Sequence, residues 1–255
     1  MLDSTPFSLI KLDSKGDTRN EIILLEVFMK KKIGLSLIGV FCFLFFMCNI
    51  AYASEKIILI DPGHGGVDGG AVSGSGVIEK EVNLNIGIKL KEALEKGGYK
   101  VYMTRDEDKG LYTEGKTIRE KKREDLASRV KLKNSTDADI FISIHQNTFP
   151  EAKYKGMQVW YAQNSPDSKV LADLMQIGFK ESLDSSNVRI PKDAGTQFRV
   201  IRNPSKAASV MVECGFLSNP DECILLIDES YQKDFAEMLK NSVDKFYEMK
   251  NRVQD

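Results

Sequence analysis

Residues 57–85 read IILIDPGHGGVDGGAVSGSGVIEKEVNLN. Four aliphatic residues run into Asp61 and Pro62, a glycine-rich excursion follows, and from Glu79 apolar residues recur every three or four positions. The first pattern is that of a buried strand and the last that of an amphipathic helix. Strand, loop and helix in that order form the half-unit of a parallel sheet, because a parallel neighbour is reached only through a crossover. His64, one of two histidines in 255 residues, stands where the strand gives way to the loop.

The alternation continues outward from this stretch. A helix over EKEVNLNIGIKLKEALEKGG carries Val82, Ile86, Leu90 and Leu94 on one stripe and ends in glycines, and KVYMTR is the next strand. A second helix is expected from Thr117 to Asn134, with Ile118, Leu126, Val130 and Leu132 as its apolar positions. DADIFISIHQN and GMQVWYAQ read as strands, and Ser165 with Pro166 starts a helix through KVLADLMQIGFKESL. FRVIRN and SVMVECGF supply two more strands, and a helix from about Ser230 to Lys250 closes the chain. The expected fold class is α/β: a single three-layer domain with a mostly parallel central sheet of about six strands flanked by helices.

That domain is expected over 54–255. Before it, Met29 is followed by three lysines, then by IGLSLIGVFCFLFFMCNI, then by Ala51-Tyr52-Ala53. A basic segment, a greasy segment and an A-x-A site make 29–53 a secretory signal cut after Ala53, or an uncleaved membrane anchor, since 18 apolar residues reach the lower limit for spanning a bilayer. Residues 1–28 are polar and mixed and have no place in a signal, so Met29 is the expected start and 1–28 a mis-assigned or disordered upstream segment. Cys42 and Cys48 fall inside the signal; Cys214 and Cys223 remain, open to pairing but better suited to packing as buried thiols. The net charge of -1 gives no general pull toward nucleic acid or an anionic membrane, leaving the N-terminal segment as the membrane contact.

In open α/β sheets the site collects at the carboxyl ends of the strands. Three expected strands place polar residues there: Asp61 and His64 after the first, His145 and Asn147 at the end of FISIHQN, and Glu213 within SVMVECGF; Glu79 opens the first helix. A hydrolytic zinc site takes three ligands from histidine and carboxylate and leaves one position open. His64, Glu79 and His145 supply such a set, although their separations of 14 and 65 residues match no short metal motif. Each residue also has an ordinary reading: a turn hydrogen bond for a histidine, the helix dipole for Glu79, plain turns for the glycines. A carboxylate at 213 among Val210, Met211, Val212 and Phe216 needs a compensating cation, either a metal or an arginine such as Arg199 or Arg202. The glycine loop lacks a GK[ST] ending, which removes a phosphate cradle.

DPGHGG with Glu79 following, SIHQN, and VECGFLSNPDE, in that order, resemble the signatures of zinc-dependent N-acetylmuramoyl-L-alanine amidases of the amidase-3 type, over about Lys56 to Tyr247. Within that family the segment YTEGKTIREKKREDLASRVKLKNS and the ending GFLSNPDECILL are similar to the germination-specific, CwlD-type amidases of endospore formers. The resemblance implies zinc on His64, Glu79 and His145, Glu213 as the catalytic carboxylate, and the amide between N-acetylmuramic acid and L-alanine of peptidoglycan as the bond cut. It implies Asp61 as a support for the His64 turn and Asn147 as a substrate contact. It further implies export, action in the cortex space of the forespore or in the cell wall, and control by expression timing or by an accessory protein such as a lipoprotein. A vegetative autolysin, another zinc peptidoglycan hydrolase or deacetylase, and a non-catalytic wall-binding module are the competing readings.

Overall fold

Asparagine, serine and threonine caps and the glycine-rich loops divide the chain where the sequence pattern changes. The structure, a computed structural model, describes residues 26–34, 36, 38–40, 55–202 and 206–254. Residues 26–34 and 38–40 are helical, and no helix among the described residues is long and apolar enough to cross a membrane. Most of the apolar run and the cleavage site expected within 29–53 lie outside the described residues.

Glu55–Asp255 forms one compact unit. Its strands are β1 (Ile57–Pro62), β2 (Lys100–Met103), β3 (Ile140–Asn147), β4 (Gln158–Tyr161), β5 (Lys192–Asp193) and β6 (Ala208–Phe216). Its helices are α1 (Glu79–Lys96), α2 (Ile118–Ser135), α3 (Pro166–Ser182), α4 (Arg199–Arg202), α5 (Pro220–Ile227) and α6 (Glu229–Gln254). The six strands lie in the order β2-β1-β3-β6-β4-β5; all neighbours are parallel except β4, which runs antiparallel to β6. The three-layer, mostly parallel sheet expected from the alternation is what forms.

Strand alternation sorts the residues between two cores. Ile58, Ile60, Ile140, Ile142, Ile144, Val210, Val212 and Cys214 face α1, α3 and α6, whose Val82, Ile86, Leu90 and Leu94, Met175 and Phe179, and Phe235 and Leu239 complete the larger core. Leu59, Phe141 and Met211 face the other way, toward α2 and α4. Cys214 and Cys223 are both buried and unpaired, so the thiol reading holds.

Four elements, α4, β5, α2 and α5, differ from expectation. Within FRVIRN, Arg199–Arg202 form the single helical turn α4 and no strand: a strand would send Val200 and Ile201 to opposite faces, whereas the helical turn buries both, at 4% and 0% exposure. The two-residue β5 takes the sheet edge instead. In α2, Ile118 is 62% exposed, while Arg129 and Lys133 are buried at 3% and 2%. The inward stripe of this helix is part polar: Leu126 and Val130 pack on the second core, Arg129 enters the site described below, and Lys133 Nζ donates to the carbonyls of Val200 (3.0 Å) and Ile201 (3.5 Å). Burial draws the Lys133 ammonium down to about 8. Helix α5 was not anticipated, although Asn219 caps it by accepting from Asp221 and Glu222 N–H, with Pro220 next.

Leu90→Ala, at a position of zero exposure, is expected to cost about 2–5 kcal/mol in urea unfolding. Ile118→Ala is expected to stay within about 0.5 kcal/mol of the parent, and a core-sized loss there would contradict the outward placement of Ile118.

Candidate active site

The carboxyl ends of β1 and β3 and the first residue of α1 converge. One potential ligand atom from each of His64, Glu79 and His145 lies within 4.8 Å of the others. Glu79 Oε1 stands between the histidines, 3.3 Å from His64 Nε2 and 3.1 Å from His145 Nδ1. Backbone donors fix the carboxylate: Gln146 N–H to Oε1 at 3.0 Å and Ala71 N–H to Oε2 at 2.8 Å. Asn83, one turn along α1 and fully buried, donates to Glu79 Oε1 and to the Gly63 carbonyl and accepts from Gln146 Nε2.

Two glycines permit this approach. A Cβ at Gly63 would overlap the His145 ring, and one at Gly70, where φ is +72°, would sit 2.5 Å from Glu79 Oε2 and 2.8 Å from His64 Cδ2. His64 itself takes the left-handed conformation, φ 62°, which costs a non-glycine residue about 1 kcal/mol or more. Its turn therefore needs external restraint.

Two buried arginines supply that restraint. Arg129 pairs with Asp61 at 2.6 Å and with Asp125 at 2.6 Å, and donates to the carbonyls of Pro62 (2.9 Å) and His64 (2.6 Å). Arg105 donates to the carbonyls of Pro62, Gly63 and Lys80, tying the turn to the start of α1. Asp61 also accepts from Thr104 and Ser143. Burial pushes the Asp61 carboxyl up, but the Arg129 charge and these three hydrogen bonds outweigh it and hold Asp61 below the usual carboxylate range.

The donor set fits a metal ion. Burial alone would lower the His64 imidazole; contacts with Asp68 Oδ2, 2.9 Å from Nδ1, and with Glu79 reverse this and hold it up at about 9. The Asp68 contact is too bent to be an aligned hydrogen bond, leaving Nδ1 buried without one. Burial opposes the charge on Glu79 too, but His145 and His64 keep its carboxyl well below the ordinary range. Carboxylates that draw a proton onto these ring nitrogens also favour a metal cation there once the rings are deprotonated.

Glu213 stands beside the three, in register with His145 on β3 and with Gln158 on β4. Its Oε2 is buried with no hydrogen-bond partner, and neither arginine suggested from sequence pairs with it; Arg202 Nη1 donates instead to the Thr196 carbonyl. Burial raises its carboxyl and His145 draws it part of the way back, leaving it at about 6, in the range where a carboxyl exchanges protons near neutral pH.

The structure thus brings together His64, Glu79, His145 and Glu213. Asp61 lies beneath the turn, reaching His64 through Arg129 and not by direct contact. Asn147 ties strand ends, its carbonyl accepting from Leu217 N–H and its Oδ1 from Thr148 N–H, both at 2.9 Å. Sequence reasoning missed Asp68, Asn83, Arg105 and Arg129. Their signals were present: a carboxylate four residues after His64, a polar residue one turn after Glu79, and arginines where β2 ends and where α2 turns inward.

Comparison with known proteins agrees with this geometry. The family model described as N-acetylmuramoyl-L-alanine amidase matches residues 58–245, so the chain belongs to that family and is a peptidoglycan amidase. The germination-specific N-acetylmuramoyl-L-alanine amidase of Bacillus subtilis (strain 168) is 36% identical over 195 residues, covering 76% of this chain and 81% of the relative. The CwlD amidase from Clostridioides difficile, solved in complex with the GerS lipoprotein, aligns with a TM-score of 0.74 and 38% identity over 76% of this chain and 100% of that one. An N-acetylmuramoyl-L-alanine amidase from Clostridium difficile 630 aligns with a TM-score of 0.67 and 30% identity over 77% and 98%.

Arg129→Met removes the partner of a carboxylate only 1% exposed and is expected to cost about 3–5 kcal/mol. In the parent, Asp61 has a depressed pKa, so its contribution is present above the unfolded value near 4 and is lost as pH falls through the folded one. Unfolding measured against pH should therefore show the deficit of the variant shrinking as the medium is acidified below about pH 4.

Proposed function

We propose that His64, Glu79 and His145 hold a zinc ion, and that Glu213 carries the proton in hydrolysis of the amide between the lactyl group of N-acetylmuramic acid and L-alanine. The observation that carries this reading is the convergence of the three ligand groups within 4.8 Å, with the unpartnered Glu213 Oε2 next to them. Bound zinc would polarise the scissile carbonyl and make an attacking water more acidic. Glu213 takes the proton of that water at Oε2 and delivers it to the leaving nitrogen of L-alanine. The low-polarity surroundings that raise its pKa favour both halves of the transfer, since the carboxyl is neither firmly ionised nor firmly protonated near neutrality. Asp61 and Arg129 hold the His64 turn throughout, and Asn147, two residues past His145, contacts the substrate near the scissile carbonyl.

The substrate is proposed to be spore cortex, with stem peptides removed as a step toward the muramic-δ-lactam needed for germination. Support comes from the germination-specific relative and from the CwlD structure. The same proposal places its action outside the cytoplasm, in the cortex space of the forespore, after export through 29–53, and the GerS lipoprotein bound to the CwlD amidase supports an accessory lipoprotein as partner. A vegetative wall substrate is the second reading, since other relatives are named as cell wall amidases.

Metal analysis should find zinc in the parent and in Glu213→Ala, and little in His64→Ala or His145→Ala. Glu213→Ala should lose about 10²–10⁴ in turnover of purified peptidoglycan, scored by the new L-alanine amino termini. Near-normal turnover by Glu213→Ala would overturn the role given to it, and released acetate would point to a deacetylase. Muropeptide profiles of spores lacking the protein are expected to have lost muramic-δ-lactam; an unchanged lactam content would move the substrate to the vegetative wall.

A further inference from the structure

Glu213 is flanked on one side by cations that form no ion pair among the described residues. Gln158, opposite Glu213, donates from Nε2 to the Ile190 carbonyl at 2.7 Å, so the segment before β5 is fastened beside the catalytic carboxylate. On that segment the Arg189 guanidinium lies 4.7 Å over the ring of Phe216, three residues past Glu213, and its Nε donates to the Lys155 carbonyl. Lys153 lies 5.4 Å from the ring of Tyr154, which is itself 6.5 Å from Phe216. Lys192 lies 5.3 Å from the ring of Trp160, two residues along β4 from Gln158 and on the same face.

None of Lys153, Arg189 and Lys192 forms an ion pair among the described residues. Glu222, which feels the charge of Arg189, commits its oxygens to the N–H groups of Gly156 and Phe216, both at 2.8 Å. Lysines around the glycine loop and α2 are arranged differently: Lys80 pairs with Asp108, Lys116 with Glu124, Lys121 with Glu114 and Lys122 with Asp68. Those lysines are thus neutralised locally, whereas Lys153, Arg189 and Lys192 keep their charge available to an external anion.

We propose that Lys153, Arg189 and Lys192 form the subsite for the stem peptide and bind its carboxylates, so that the peptide leaves the scissile bond over β4 and β5. This rests on the amidase reading. In that substrate the amino end of the peptide is consumed in the scissile amide, so the terminal charge it presents is a carboxylate and not an ammonium. Each cation rests against an aromatic face, which limits its rotamers before substrate arrives and lowers the entropic cost of the pairing. Arg189 matches a carboxylate best, because its planar donors can meet both oxygens.

The test compares two soluble substrates, an N-acetylmuramoyl-tripeptide with a free terminal carboxylate and the same compound as its carboxamide. The parent enzyme should favour the acid by about three- to tenfold in kcat/KM, carried by KM, with the margin shrinking as salt is raised. Arg189→Gln should lower kcat/KM for the acid more than for the carboxamide and so remove most of that margin. Lys192→Gln and Lys153→Gln, at exposed side chains, should each remove part of it without disturbing Phe216. Equal turnover of acid and carboxamide by the parent, or equal loss on both substrates in the variants, overturns the subsite. Absence of any new L-alanine amino terminus from either substrate defeats the amidase reading itself, a result distinct from a lost preference.

Discussion

The buried ion pair between Arg129 and Asp61 is the contact on which the catalytic end of the molecule depends. Each partner is almost fully withdrawn from water, and isolated burial of either charge would cost several kcal/mol. The pair persists because its remaining hydrogen-bonding capacity is taken up: Asp61 by Thr104 and Ser143, Arg129 by Asp125 and by the carbonyls of Pro62 and His64. One side chain from α2 thereby fixes both the end of β1 and the unfavourable backbone of the residue that presents the first imidazole. Hydrophobic packing could not do this work, since it is indifferent to direction, whereas a guanidinium aims at several acceptors in one plane.

Above that clamp the electrostatics are divided by height. At the base, charges cancel within hydrogen-bonding distance. At the level of the histidines, the carboxylates of Asp68 and Glu79 leave the pocket favourable to cations, and Glu213 adds a carboxyl whose ionisation is marginal. Three acidic groups around two imidazoles are a costly arrangement unless a cation shares the space. Burial raises the Glu213 carboxyl and His145 draws it part of the way back, which leaves it at about 6.

Most of the architecture was legible in the sequence, and so were the residues that converge at the strand ends. The apolar stripe of α1 and the runs of β1, β3 and β6 follow from hydrophobic periodicity, which records what each face is packed against. His64 and His145 stood out because both histidines of the chain fall at the carboxyl ends of strands, Glu79 because it opens the helix after the glycine loop, and Glu213 because it is a carboxylate among apolar strand residues. Arg129, Arg105 and Lys133 did not stand out: on α2 a buried cation looks like one more charge on a solvated helix, and only the acceptors brought by distant segments make its burial tolerable. FRVIRN failed for a related reason, since two adjacent apolar residues suit a strand buried on both faces as well as a helical turn packed on one. Asn83 and Asp68 depend on the loop conformation that folds them back to the ligands, and that conformation is set by glycines whose sequence admits many turns.

The reversal of β4 has a consequence for how this scaffold can diversify. In an all-parallel sheet, the segments entering each strand gather at the end remote from the catalytic groups. Because β4 runs against β6 and β5 runs with β4, the segments entering these two strands, 148–157 and 183–191, emerge instead at the catalytic end. Two loops are thus added to the neighbourhood of Glu213 without carrying any of His64, Glu79, His145 or the clamp residues. Their length and charge can change without moving any of the side chains that converge on Glu79, so one face of this small domain is free to vary beside a fixed centre.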